Sequence, residues 1–250
     1  MDRQHALIDN PRAYAQIVMR AAALGDADAQ ATLGQLLLDG HGIERDPRLG
    51  LTWFRIAARQ AHAMSINMVG RCLENGWGCS SDLAEAARHY RQAADLGLDW
   101  GLYNYGQLLT RGRGVTHDLA AAYALFRQAA DMGHAKSMNL VGRFHHEGVV
   151  VDKSAEQAQR WYRLAALGGD FRGQYNHATV LAEQGLEAEA CAWLGRALET
   201  ATSGFLQAAY PVLLGSANVA IREMGQRYQR TVDDLGRSMA KHRLSGNDSS

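Results

Sequence analysis

Proline is scarce in this chain of 250 residues, with three in all, and cysteine occurs only as Cys72, Cys79 and Cys191. So few prolines leave helices uninterrupted. An odd number of thiols with no C-x-x-C spacing argues against both a disulfide framework and a zinc knuckle. Charge of one sign is lacking as well: 26 basic and 26 acidic side chains are interspersed, and the formal net charge is zero. That balance supplies no field for a phosphate backbone or an anionic bilayer, so neither nucleic acid nor membrane is expected as a partner. No apolar run approaches the roughly 20 residues of a membrane span. The opening "MDRQHALIDNPRAY" has no apolar segment behind a basic one, and a cytoplasmic location is the expectation.

What the chain does have is a period. Apolar residues make up 47% of it, enough for a continuous core. Gly34, Gly70, Gly106 and Gly142 are spaced by 36, with Ala178 at the next step. Gly40, Gly76, Gly112 and Gly148 keep that spacing, as do Asp46, Asp82 and Asp118 and the aromatics Phe54, Tyr90, Phe126 and Tyr162. A period of this length marks a solenoid of small units that cannot bury their apolar faces alone.

Each unit reads as two helices. In "DWGLYNYGQLLTRG" the small and apolar residues recur at three and four, one face of a helix A. "DLAAAYALFRQAADMG" opens with a capping aspartate and closes with glycine, a helix B. The G-x-G between them, as at Gly112 and Gly114, lacks the spacing of a phosphate loop and is read as a turn. The glycine within helix A is expected to meet the Ala-Ala pair of helix B, small against small.

The pattern in "YGQLLTRGRGVTHDLAAAYALFRQAADMG" resembles the Sel1-like repeats, relatives of the tetratricopeptide repeats. The resemblance implies an all-α fold, a right-handed α-solenoid superhelix of antiparallel helix pairs, whose usual work is to hold protein partners. It organises the chain as an N-terminal capping helix over 1–26 and five repeats over 27–62, 63–98, 99–134, 135–170 and 171–202, the last degenerate. A degenerate helix and a long amphipathic capping helix follow over 203–244, then a disordered tail over 245–250. The fourth unit departs from the pattern at Val150 and Ser154, in place of glycine and aspartate. Secreted members with a cysteine pair per repeat have been linked to β-lactam binding; Ala94 and Ala130 stand where those cysteines would be.

No catalytic constellation emerges. His145, His146 and Glu147 lack the second histidine of H-E-x-x-H, and no metal or other cofactor is expected. "SMAK" matches S-x-x-K without any K-T-G. Trp53, Trp161 and Trp193 share one helix B column and are read as scaffold.

The variable columns of helix A are more informative, because they lie between positions that stay small or apolar. The second position holds Asp28, Met64, Trp100, Lys136 and Arg172; the fifth holds Ala31, Asn67, Tyr103, Asn139 and Tyr175; the ninth holds Gln35, Arg71, Gln107, Arg143 and Thr179. These positions form one stripe. From it a partner-binding surface on the concave face is expected at Asn67, Arg71, Trp100, Tyr103, Gln107, Lys136, Asn139, Arg143 and Tyr175. Asn67 and Asn139 are to offer exposed amides to a peptide backbone, and Arg71 and Arg143 are to meet carboxylates. The function that follows is a noncatalytic interaction module or adaptor, of bacterial origin by the family resemblance. The alternatives are a small-molecule or β-lactam-binding relative, or an oligomeric scaffold joined through the final helix.

Overall fold

A computed structural model describes residues 10–246, with side chains as far as Ser238. Among these residues there are thirteen α-helices and no strand. They fall into two compact units, one ending at Met132 and the other beginning at Gly133.

The first unit holds α1 (Pro11–Ala23), α2 (Ala27–Asp39), α3 (Pro47–Ala58), α4 (Ala63–Asn75), α5 (Leu83–Asp95), α6 (Asp99–Leu109) and α7 (Leu119–Asp131). Each helix packs on the next in the chain, and the A helices α4 and α6 also touch. Helix α1 starts at Pro11, its first turn capped by Asn10, and packs on α2; the first nine residues lie outside the described region.

The second unit holds α8 (Ala135–Glu147), α9 (Ala155–Leu167), α10 (Phe171–Glu183), α11 (Glu187–Thr200), α12 (Ser203–Leu214) and α13 (Val219–Gly246). The repeat carries on through the pairs α8–α9 and α10–α11, after which α12 and α13 close the stack. Ile221, Met224 and Tyr228 bury the first half of the α13 stripe, and the Tyr228 hydroxyl donates to the Leu194 carbonyl at 2.8 Å. Leu235, further along, is 38% exposed. The stripe's last member, Met239, lies outside the described side chains. Of the tail expected to be disordered, Ser245 and Gly246 end α13, and the remaining four residues lie outside the described region.

The local signals act as expected. Asp46, Asp82 and Asp118 each accept a backbone N–H three residues on, at 2.9 Å. Ser154 does the same for Gln157 N–H at 3.2 Å, so the fourth unit keeps its cap despite losing the aspartate. Gly40, Gly76 and Gly148 end their A helices with φ of 72°, 71° and 72°. Histidine caps were not foreseen: Nδ1 of His62 accepts Ser65 N–H, and Nδ1 of His134 accepts Ser137 N–H.

Two packing expectations need correction. The helix A glycines do not meet alanine pairs; each receives the ring of the helix B aromatic in its own hairpin. A methyl group added at Gly106 would lie 2.6 Å from the Phe126 ring, and one at Gly142 2.7 Å from Tyr162. The alanine pairs instead seat the next repeat, where a methyl at Gly101 would come within 2.6 Å of Ala94 and one at Gly173 within 2.5 Å of Ala165. The second turn glycine is also more than a reversal point. Any side chain at Gly42 or Gly78 would collide with the backbone of Pro11 or Pro47, the first residue of the preceding B helix. These glycines therefore set how closely one repeat docks on the one before it.

Candidate partner-binding surface

In the first unit the structure brings Trp100 and Tyr103 together, edge to face with ring centroids 5.9 Å apart, and Tyr103 leans on Phe126. Trp100 is exposed and Gln107 half-buried, while the exposed Arg71 lays its guanidinium over the Trp77 ring at 5.2 Å. Asn67, expected at the surface, is only 2% exposed. Its Oδ1 accepts from Nδ2 of Asn104 at 2.8 Å, an amide bridge between successive A helices.

The second unit repeats this arrangement. Asn139 is 3% exposed rather than open to a ligand, and its Oδ1 accepts from Nδ2 of Asn176 at 2.7 Å. The correction has a simple cause: the A helix of the following repeat lies over the fifth column, and an unpaired buried amide would be costly, so the two asparagines pair. A hint was in the sequence, since Asn67 and Asn139 are each followed 37 residues later by another asparagine.

The other second-unit residues divide. Lys136 is half-buried and does not line the cleft described next; Arg143 and Tyr175 do. That cleft has a volume of about 640 Å³ and lies between the A helices α8 and α10 and the closing helices α12 and α13. Its apolar wall includes Tyr175, Val212, Leu213 and Ile221, with Asn176, Ser216 and Asn218 among its polar groups. Val212, missed by the column reading because it lies beyond the repeats, is 67% exposed. The Tyr175 ring is held edge-on to Phe205 at 5.3 Å, and burial raises its phenol pKa.

Arg143 is paired within its own helix. Both Nε and Nη2 donate to Oε1 of Glu147, at 3.3 and 3.1 Å. Tyr162 also lines the cleft; burial above all pushes its phenol up to about 12, with Arg143 lowering and Glu147 raising it. His146 stands beside it, ring centroids 6.3 Å apart. No group of three or more metal-ligating side chains is found among the described residues. A second cleft, of about 580 Å³, lies in the first unit between α5, α6 and α7. It is bounded by Leu125, where the fourth unit has Trp161.

Helix hairpins recurring at a fixed period, docked on one another within each unit through glycine and alanine, define an all-α repeat protein of the solenoid class. The chain belongs to the Sel1 repeat family, which matches residues 27–62, 63–98, 101–134 and 135–170, more than half of its length. Proteins of this family generally act as protein–protein interaction modules. The fifth helix pair, α10 and α11, lies outside the matched segments. No curated protein matches the chain. Among solved structures, a Sel1 repeat protein from Oxalobacter formigenes is 20% identical with a TM-score of 0.78, covering 92% of this chain and 98% of its own. The immunity protein PA5088 from Pseudomonas aeruginosa is 17% identical with a TM-score of 0.57, covering 84% of this chain and 81% of its own. A Sel1 repeat protein from Klebsiella pneumoniae is 17% identical with a TM-score of 0.51, covering 73% of this chain and 91% of its own. At these identities the likeness is one of fold. No helix among the described residues is long and apolar enough to cross a membrane.

Proposed function

We propose that this protein is a noncatalytic adaptor that holds a segment of a protein partner, seated in the second unit in the cleft bounded by Arg143, Tyr175, Val212 and Ile221. The observation that carries this reading is the cleft itself. An opening of about 640 Å³ with an apolar wall and a few polar groups suits one or two anchoring side chains of an extended segment. In the first unit, Trp100, Tyr103 and Gln107 are proposed as further contacts. The fifth-column asparagines contribute indirectly, by holding neighbouring A helices in register. The bacterial sources of the solved relatives support a bacterial setting, and a cytoplasmic one is part of the proposal.

The test is affinity capture from the source cell with wild-type protein and with Val212→Asp, quantified by mass spectrometry. Val212 is so exposed that the substitution should leave folding intact. A partner retained by the wild type and depleted roughly tenfold or more by the variant supports the reading, on the scale of a lost central anchor. Equal retention would move the surface elsewhere. Self-association through α13 at the exposed Leu235 is a companion proposal, tested by sedimentation of the full chain with Leu235→Asp.

A further inference from the structure

The titratable groups that line the cleft are Arg143, His146, Glu147, Tyr162, Tyr175 and Glu183. Glu147 is the last residue of α8 and Glu183 the last residue of α10. The two carboxylates are one repeat apart on A helices that touch each other. A carboxylate at a helix C-terminus adds to the negative end of the helix dipole, an unfavourable position that a nearby cation relieves. Arg143 provides that cation for Glu147 at 3.1 Å. The exposed side chain of Glu183 has no hydrogen bond or ion pair among the described residues. With Arg143 committed, the cleft is left with one negative charge in surplus.

Tyr162 gives a second, independent indication. The residue is only 4% exposed and lines the cleft, and its hydroxyl makes no hydrogen bond to the described residues. Two repeats earlier, Tyr90 occupies the same register, and its hydroxyl is satisfied by Oε2 of Glu74 at 2.7 Å. His146 stands where Glu74 would be, and the Tyr162 hydroxyl is left to face the cleft. A hydroxyl open to the cleft can donate to or accept from a bound group.

Building on the segment-binding reading above, we infer that the cleft takes a cationic side chain, lysine or arginine, of the bound segment. The methylene stem would lie along Tyr175, Val212 and Ile221, as long basic side chains do on apolar surface. The charged head would meet Glu183, with the Tyr162 oxygen as a further acceptor. This reverses the expectation from the sequence that Arg143 selects an acidic partner, because Glu147 already occupies that guanidinium.

The test uses the ¹⁵N-labelled full chain and four capped peptides, identical except for a central lysine, arginine, norleucine or glutamate. Norleucine keeps an aliphatic stem and removes the charge. The expected result is that the lysine or arginine peptide shifts the amide resonances of Tyr175, Asn176 and Glu183 and binds roughly fivefold or more tightly than the norleucine peptide, the scale of one partly screened ion pair. Glu183→Gln should remove that preference without changing the melting temperature, and Tyr162→Phe should reduce it. If Tyr162→Phe does not fold, Glu183→Gln alone decides. Equal binding of norleucine, or preference for glutamate, overturns the cationic assignment while leaving segment binding intact. If no peptide shifts these resonances, the cleft fails as a seat for any of them and both readings fall.

Discussion

Nδ2 of Asn176 donates to the buried Oδ1 of Asn139 across 2.7 Å, joining the A helices of two successive repeats. Asn104 and Asn67 make the same bridge in the first unit. An amide held in this way is part of the scaffold. Asn139→Ala should destabilise the protein by about 1–3 kcal/mol, because it also strands the Asn176 donor. Denaturant unfolding of Asn139→Ala, Asn176→Ala and the double variant should give a coupling of about 0.5–3 kcal/mol. Independent, near-zero effects would contradict the bridge.

Gly106 is fixed by the Phe126 ring. Gly106→Ala should lower stability by about 1–3 kcal/mol through overpacking, and Gly106→Leu by more. If the ring is the obstacle, Phe126→Leu should lower the additional cost of Gly106→Ala in the double variant. Thermal unfolding of the three chains checks this.

Ala61 and Val150 occupy the left-handed region, with φ of 57° and 70°. Glycine holds the position of Ala61 in the other repeats, at Gly25, Gly97, Gly133 and Gly169, and that of Val150 in the first three, at Gly42, Gly78 and Gly114. Relief of the left-handed strain should outweigh the added freedom of the unfolded chain. Ala61→Gly and Val150→Gly should each raise stability by about 0.5–1 kcal/mol, measured as a shift of the urea midpoint.

His177 is buried at a register where earlier repeats carry Val69 and Val141, and its Nδ1 has no hydrogen bond. Burial first, then Arg163, holds its pKa below the ordinary 6.5. The unfolded chain therefore binds the proton more readily than the folded one, and stability should fall as pH drops through about 6.5. His177→Val should flatten that acid limb in urea titrations between pH 7.5 and 5.5. An unchanged limb would assign the pH dependence to other groups.

The repeat was legible because its determinants are local. Asp118 caps a helix three residues away, and Gly40 ends one, whatever packs around them. The roles of Asn67 and Asn139 were not, because their burial depends on a helix that arrives 37 residues later. Helix periodicity put the fifth column on the same stripe as Arg71 and Arg143, which do remain exposed, and periodicity alone gives no depth. The cleft was hidden for a related reason. Part of its wall comes from Val212, Leu213 and Ile221, in helices that have left the repeat pattern. The pairing of Arg143 with Glu147, by contrast, was within reach of the sequence, since the two are four residues apart on one helix.

The most direct measurement places a photo-crosslinking amino acid at Thr179, on the wall of the cleft, and separately at Arg160, an exposed residue of α9 away from it. Both variants are irradiated in the source cell and their adducts mapped by mass spectrometry. The account predicts a discrete adduct from Thr179 to one short segment of a partner, containing or adjoining a lysine or arginine, and none from Arg160. Adducts of equal yield at both positions, or none at Thr179 while the partner is still captured, would contradict it.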